Sequence, residues 1–391
     1  VAAAIAAGLR SVLGFLPPEA IVEIPLADGG EGTLETVLAA LQGDRHVVSV
    51  TGAAGYQRMA AMGYCYPAKE VPFAMLETAE VVGITDSVAM SSHVLNRSTR
   101  GLGEQLQKAL ERGMRKFMIG LGGSSTNDGG AGLLHALGVQ FRNQAGQPIE
   151  PTPVGLLDLA AVDLSGLDPR LRETQLILLA DVKNSLCGEQ GATHTFGGQK
   201  GLTDRTLREV VDRTLKRYAK LTTQAFAMLP DWPFSTDKIH RRKGAGAAGG
   251  LGFALQLLGA EYRSGAQEIA QLVHLPQALQ GADWLITGEG KSDRQTLNGK
   301  APYRAAKLAQ AAQVKQITVL SGLIEAQDAP QLQKKLRAEE CFSLMGGRHC
   351  IFAPDTAPES VSESQSQAKE WLFKAGVQLG QRWLNRSGRR E

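Results

Sequence analysis

The carboxylates Asp28, Glu31, Asp128, Asp181, Glu289 and Asp293 all lie in or just beyond glycine-rich turns, and Lys200 and Lys300 stand in loops of the same kind. Acids so placed can hold a hard cation such as Mg2+, which binds through one or two carboxylates plus substrate phosphates. Glycine-loop amides and a lysine can hold phosphate oxygens, and a remaining carboxylate can accept a proton from a substrate hydroxyl. Together these are the parts of phosphoryl transfer, where catalysis is mostly positioning and charge stabilisation. Taken singly, each acid is as readily an Asx turn or a helix cap. Repetition of one loop grammar along the chain weakens that bland reading for the set.

The densest of these loops lies in Phe117–Gly138, FMIGLGGSSTNDGGAGLLHALG. Phe117, Met118 and Ile119 read as a buried strand, and Leu133, Leu134 and Leu137 as the apolar stripe of a helix. Between them, glycines including Gly122 and Gly123 let the backbone approach a ligand closely. Ser124, Ser125, Thr126 and Asn127 add neutral polar groups, and the helix start offers N–H groups to an anion.

The elements around this stretch follow the same plan. Ile21–Pro25 alternates like a strand and runs into Asp28, Gly29, Gly30 and Glu31, with a helix over 34–41. Residues 47–82 read as short strands, 102–110 as a helix, and 142–172 as turns. The run 175–180 has the unbroken apolar pattern of a strand buried on both faces and ends in Asp181. A long amphipathic helix covers 203–229, and Gly244–Gly252 opens another. Strands at 284–286 and 317–320 end in Thr287-Gly288-Glu289-Gly290 and Ser321-Gly322; 353–366 reads as a loop and 367–385 as an amphipathic helix. Strands alternating with helices and ending in small residues plus an acid predict an α/β fold, with the ligand crevice outside the strands' carboxyl ends.

Composition narrows the function. A chain of 391 residues with 43% hydrophobic and 21% charged residues has room for two domains. The net charge of +3, without a basic stripe interleaved with aromatics, argues against nucleic acid. Cys65, Cys187, Cys341 and Cys350 show no CxxC or Cys–His spacing, so a reduced, cytoplasmic setting is expected and a zinc or disulfide frame is not. The apolar start carries Ile5, Leu9, Val12 and Leu13 at helical spacing, interrupted by Arg10, which reads as an amphipathic helix and not a membrane span. It begins at Val1 inside that helix, and a preceding segment is expected.

Near-motifs fall away. Gly120–Ser125 lacks the last glycine of a dinucleotide fingerprint, and Gly290-Lys291-Ser292 ends like a P-loop with Leu285 where its first glycine belongs. Two other classes stay open from the residues: an NAD(P)-dependent hydroxy-acid dehydrogenase, and a non-catalytic sugar-acid sensor on the same fold.

Five blocks, ADGGEGT (27–33), GLGGSSTNDGGAGLLHALG (120–138), ADVKNSLCGEQGATHTFGGQKG (180–201), KGAGAAGGLG (243–252) and TGEGKSDRQTLNGKAP (287–302), occur in order and well spread. Together they resemble the bacterial glycerate kinases of glycolate and sugar-acid pathways. The resemblance implies ATP-dependent, Mg2+-assisted phosphorylation of D-glycerate, typically to 2-phosphoglycerate, in the cytoplasm. It also implies two α/β domains with the active site in the cleft: a discontinuous Rossmann-like one with a parallel sheet (1–47 plus 280–391) and a mixed α/β one (48–279). Strands near 21–25, 284–287 and 317–320 would share one sheet, and a homodimer is left open. The family pattern starts with a strand and a PDSFK-type segment; here Ser185 and Gly198 stand where proline is usual, and Lys291-Ser292 replaces a basic–Leu pair.

On this reading Asp128 and Asp181 hold Mg2+ or the substrate hydroxyl, with Glu289 and Asp293 next. Lys200 and Lys300 neutralise phosphate charge. Asp28, Gly29, Gly30, Glu31, Gly122 and Gly123, with Ser124–Asn127, bind substrate or ATP, and Arg97 pairs with the glycerate carboxylate, which suits its planar fork. Asp128→Asn is expected to cut kcat by orders of magnitude and leave the fold intact.

Overall fold

A computed structural model describes residues 1–68, 71–294, 296–345, 350–352 and 367–387. The loop expected over 353–366 lies outside them. The chain divides into two compact units, one of residues 27–269 and one of residues 1–26 with 270–391.

The larger unit is built on a six-stranded sheet. Its strands are β1 (Asp44–Thr51), β2 (Gln57–Cys65), β3 (Phe73–Glu77), β4 (Lys116–Gly120), β7 (Gln175–Leu179) and β8 (Glu261–Arg263), in the order β1-β2-β3-β4-β7-β8. Two short strands, β5 (Gln140–Arg142) and β6 (Ala161–Asp163), form a separate hairpin inside the turn-rich stretch. The β1–β2 and β2–β3 pairs are antiparallel; β3, β4, β7 and β8 run parallel. The parallel strands need crossovers, supplied by helices such as Arg100–Glu111 and Arg205–Ala227, whose apolar faces close the core. Leu76, Phe117, Ile119, Leu133, Leu178, Tyr218 and Phe253 are among its fully buried side chains.

The boundary falls between 26 and 27 where the sequence suggests 47 and 48, and between 269 and 270 where it suggests 279 and 280. The reason is register. β1 pairs along its whole length with β2, from Asp44 opposite Tyr64 to Thr51 opposite Gln57, so the segment leading into it belongs to the larger unit.

In the smaller unit a parallel three-stranded sheet is ordered β13-β11-β9, from β9 (Trp284–Thr287), β11 (Gln316–Ser321) and β13 (Glu340–Ser343). A short parallel pair, β10 (Lys291–Ser292) with β12 (Leu323–Ile324), continues from the carboxyl ends of β9 and β11. Ile21–Pro25, expected to join this sheet, is not a strand. Its residues are half-buried or exposed, Pro25 has no N–H for a ladder, and Arg10 holds it from the side through Glu23 (2.7 Å) and the Ile21 carbonyl (2.9 Å). Alternation of side chains makes a strand only where a partner strand is present.

The predicted terminal helices form as Ala2–Val12 and Ala368–Ser387 and pack on each other. The crossing is close because it is glycine against backbone. A Cβ on Gly8 would lie 2.1 Å from the Phe373 carbonyl oxygen, and one on Gly376 would lie 2.2 Å from that of Ile5. Leu9, Leu13, Trp371, Ala375 and Leu379 then close a core with Leu320 and Phe342.

Candidate active site

In the larger unit three glycine loops interlock at the carboxyl ends of the parallel strands. The Asp28–Gly32 turn lies against β4 and β7: Gly122 N–H donates to the Gly29 carbonyl at 3.0 Å, and Leu121 N–H to that of Leu179. A Cβ on Gly122 would sit 2.3 Å from Gly30 Cα, and one on Gly265 would sit 2.0 Å from the Asp28 carbonyl oxygen. Backbone meets backbone here, which side chains would forbid. Asp28 Oδ1 accepts from Gly30 N–H (3.2 Å), while Glu31 points outward and is exposed.

The helix that starts after this turn, Thr33–Leu41, does not offer its first amides to a ligand. Glu77, the last residue of β3, places one carboxylate oxygen 3.0 Å from Gly32 N and the other 2.8 Å from Leu34 N. Burial raises the Glu77 carboxyl to about 7 against the pull of these two N–H groups, with Glu80 and Glu31 adding to the rise. Sequence reasoning missed Glu77. The available signal was an acid ending an apolar run (Phe73–Leu76), the same grammar as the other loops.

Asp128 works in the same way. Its carboxylate is fully buried. Oδ2 accepts from Thr99 N–H (2.8 Å), Thr99 Oγ1–H (2.8 Å) and Gly132 N–H (3.1 Å), and Oδ1 from Gly130 N–H (3.1 Å). The anion at the start of the Ala131–Ala136 helix is therefore the protein's own, and the site expected there is filled. Burial pushes the Asp128 carboxyl up against the four donors. With its lone pairs so engaged, Asp128 organises two helix starts.

Arg97 is likewise buried and committed to backbone. Its guanidinium donates to the carbonyls of Ser92, Met90, Ser125 and Lys200, the last two at 2.9 and 3.0 Å. The guanidinium is a clamp holding three segments together. Lys200 is beneath the same loop: Nζ donates to Ser124 Oγ (2.9 Å) and to the Thr126 carbonyl (2.6 Å). Desolvation lowers the Lys200 ammonium to about 7; Arg97 acts in the same direction and Asp128 in the opposite one.

Around this charge lies the Ser124–Asn127 run, all buried. Ser125 Oγ donates to the Val82 carbonyl and Asn127 Nδ2 to Thr193 Oγ1. Thr126 Oγ1 and Asn127 Oδ1 are buried with no hydrogen-bond partner among the described residues. The glycine block 243–252 backs the run: Gly249, at φ +68°, would put a Cβ 2.0 Å from the Thr126 carbonyl oxygen, and its own carbonyl accepts from Gly129 N–H. Asp181, just past β7, is half-buried; Oδ1 accepts from Ser264 Oγ–H (2.6 Å) and Oδ2 from Ala266 N–H (3.2 Å). The structure thus gathers Asp28–Glu31, Arg97, Gly122–Asp128, Asp181 and Lys200 in one unit.

Glu289, Asp293 and Lys300 belong to the smaller unit, beyond the carboxyl ends of β9 and β11. Glu289 Oε1 accepts from Thr296 Oγ1 (2.5 Å) and Ser292 Oγ (3.1 Å), and Oε2 lies 3.8 Å from Lys300 Nζ. Ser292 Oγ is 2.7 Å from Ser321 Oγ, and the Asp293 amide donates to Thr296 Oγ1. Glycine again permits the approach, since a Cβ on Gly288 would lie 1.7 Å from the Leu320 carbonyl oxygen. Lys300 is one-third exposed and the Glu289 side chain one-fifth.

Among the described residues no three His, Cys, Asp or Glu side chains come together as a metal ligand set. Mg2+ needs only one or two protein carboxylates. Asp181 is half-buried at a strand end and accepts from Ser264 and Ala266, and Asp128 is fully buried and accepts from four donors. No helix of the described residues is long and apolar enough to cross a membrane.

Comparison with known proteins bears on this arrangement. A sequence model of the glycerate kinase family matches residues 1–379. A glycerate kinase of Bacillus cereus (strain ATCC 10987 / NRS 248) is 32% identical over 375 residues, covering 96% of this chain and 92% of its own. The glycerate 2-kinase of Escherichia coli (strain K12) is 38% identical over 311 residues, 79% of this chain and 77% of its own. A crystal structure from Salmonella typhimurium LT2 carrying the name glycerate kinase 2 superposes with a TM-score of 0.76 at 31% identity, covering 99% of this chain and 94% of that one.

Proposed function

From the premise that this chain belongs to the glycerate kinase family, we propose that it transfers the terminal phosphoryl group of ATP to D-glycerate, giving 2-phosphoglycerate. The observation that carries the reading is the Ser124–Asn127 run, with the Lys200 ammonium beneath it and two buried polar atoms, Thr126 Oγ1 and Asn127 Oδ1, without partners among the described residues. A polar ligand with several oxygens satisfies such atoms, and a buried positive charge favours an anionic one. A sugar-acid sensor would use the same polar site, and membership of a family of kinases is what favours phosphoryl transfer over it; the dehydrogenase reading has no comparable observation behind it.

In this reading Lys200, Arg97 and Asp128 are positioning residues. Lys200 sets a positive charge under the loop, and Arg97 and Asp128 hold the segments that carry it. Asp181 is the group to hold Mg2+, which when bound neutralises phosphate charge. Lys300, held by Glu289, neutralises nucleotide phosphate in the smaller unit, with Asp293 in the same loop, its amide on Thr296 Oγ1. Asp28, Gly29, Gly30 and Glu31, with Gly122 and Gly123, line the substrate side of the strand ends. Consumption of ATP and four free cysteines fit the cytoplasm.

The test is ADP release from ATP and Mg2+ with and without D-glycerate. Release that depends on glycerate supports the reading, and direct conversion of the product by enolase without a mutase identifies the 2-phospho isomer. Absence of glycerate-dependent release overturns it; release with a product that enolase converts only after a mutase is added overturns the 2-phospho assignment.

A further inference from the structure

We propose that Glu77 is a positioning residue of the phosphoryl-transfer site: its buried carboxylate, bridging the amides of Gly32 and Leu34, fixes the Asp28–Glu31 turn against the ends of β4 and β7. The proposal rests on the kinase reading above.

The geometry is that of a tether. Glu77 ends β3 opposite Gly120, the last residue of β4, so it stands at the level where the strands release their loops. The turn it holds touches those loops through bare backbone, at Gly120, Gly122, Leu179 and Gly265. Such contacts exclude overlap and supply little directional restraint. Direction comes from hydrogen bonds: the two to Glu77, Gly29 N–H to Thr33 Oγ1 (3.1 Å), and Gly122 N–H to the Gly29 carbonyl. A carboxylate accepting two N–H groups at a helix start also meets the positive end of that helix. Glu77 thus occupies the place a ligand anion takes in many glycine loops, and it leaves the side chains of Asp28 and Glu31 as what the turn can present.

Glu77→Gln keeps the shape and one acceptor but turns an NH2 group toward the second amide. The turn is then held on one side only, and a misplacement of about 1 Å near a reacting group can cost on the order of 100-fold in rate. The expected result is a fall in kcat of roughly tenfold to hundredfold, with faster hydrogen exchange at the amides of Gly30–Leu34. Thr33→Val, which removes the second tether, should do the same and serves if Glu77→Gln folds poorly. Glu104→Gln is the structural control, because Glu104 holds Thr51 through its amide and hydroxyl (2.7 and 2.9 Å) elsewhere in the same unit. It should lower Tm and leave kcat and KM unchanged. Equal kinetics in the Glu77 and Glu104 variants at matched loss of Tm would overturn the proposal. If the unaltered chain shows no glycerate-dependent ADP release, the kinase reading fails on its own; unchanged exchange at Gly30–Leu34 in Glu77→Gln then removes the tether as well.

Discussion

Lys200 Nζ donates to the main-chain carbonyl of Thr126 at 2.6 Å, so a side chain 74 positions away carries its charge directly under the most polar loop of the larger unit. The ammonium is buried and its pKa is lowered from 10.5 to about 7. A depressed folded value means that protonation opposes folding: the stability is present at high pH and is lost as pH falls through about 7. Lys200→Met does not titrate, so its Tm should fall less than that of the unaltered protein between pH 9 and pH 6. Its kcat should drop by about 100-fold, because the loop that Nζ holds through Ser124 and Thr126 loses its anchor. Parallel Tm profiles for the two proteins would show that Lys200 keeps an ordinary pKa.

Asp128→Asn should damage the fold, contrary to what the sequence alone suggests. Three donors converge on Oδ2 and one on Oδ1. An amide has a single acceptor oxygen, so its NH2 must face at least one buried donor, at about 1–3 kcal/mol for each group left unsatisfied. In a unit of this size, about 2–4 °C of Tm goes with each kcal/mol, and thermal unfolding followed by circular dichroism reads it directly. An unchanged Tm with lost turnover would return Asp128 to a ligand-facing role.

These two residues also mark what a sequence can disclose. The strand, glycine loop and helix at 116–136 were legible because local signals agree there: an apolar run, glycines, then an apolar stripe. The same holds for the strands at 175–179, 284–287 and 316–321. Asp128 was legible as important but not in its role, because its main partner, Thr99, is 29 residues earlier. The partners of Arg97 were hidden for a similar reason: a guanidinium suits a carboxylate, and nothing local announces its bonds to the Ser125 and Lys200 carbonyls. Ile21–Pro25 failed because alternation reports a face and not a partner. Glu77 needed no more than the loop grammar already in use, applied to a strand that carries no glycine after it.

Gly122→Ala and Gly265→Ala test the interlock of the loops. Each would bring a Cβ to within 2.3 or 2.0 Å of main-chain atoms in the Asp28–Gly30 turn, and main chain cannot rotate away as a side chain can. Overpacking of this kind costs about 1–3 kcal/mol, so Tm and kcat should fall together. Gly14→Ala, whose Cβ would meet its nearest neighbour at 3.4 Å, should leave both unchanged. Full activity in Gly122→Ala would show that the turn can shift without consequence.

The terminal helices offer a test confined to the smaller unit. Gly376→Ala places a methyl 2.2 Å from the Ile5 carbonyl oxygen and forces Ala2–Val12 away from Ala368–Ser387. The apolar faces around Leu9, Trp371 and Leu379 then part. Hydrogen exchange should quicken in both helices, with the amides of β4 and β7 unaffected. Unaltered protection of Ala2–Val12 would mean that the pair closes without the glycine contact.

Glu77 and Lys200 titrate toward each other, and this gives the larger unit an unusual pH dependence. Burial raises the Glu77 carboxyl from 4.5 to about 7, outweighing its two amide partners. A folded value above the unfolded one means the opposite sign to Lys200: the stability is fully present below about 4.5 and is lost as pH rises through about 7. Lys200 returns stability only above that point. Stability limited by these two groups should therefore pass through a trough near neutrality, visible in Tm measured from pH 5 to pH 9. Glu77→Gln, which cannot ionise, should flatten the acid side of the trough and leave the alkaline side in place, while Lys200→Met should do the reverse. A profile with a single maximum near pH 7 in the unaltered protein would mean that the two amides at Gly32 and Leu34 hold Glu77 ionised well below neutrality.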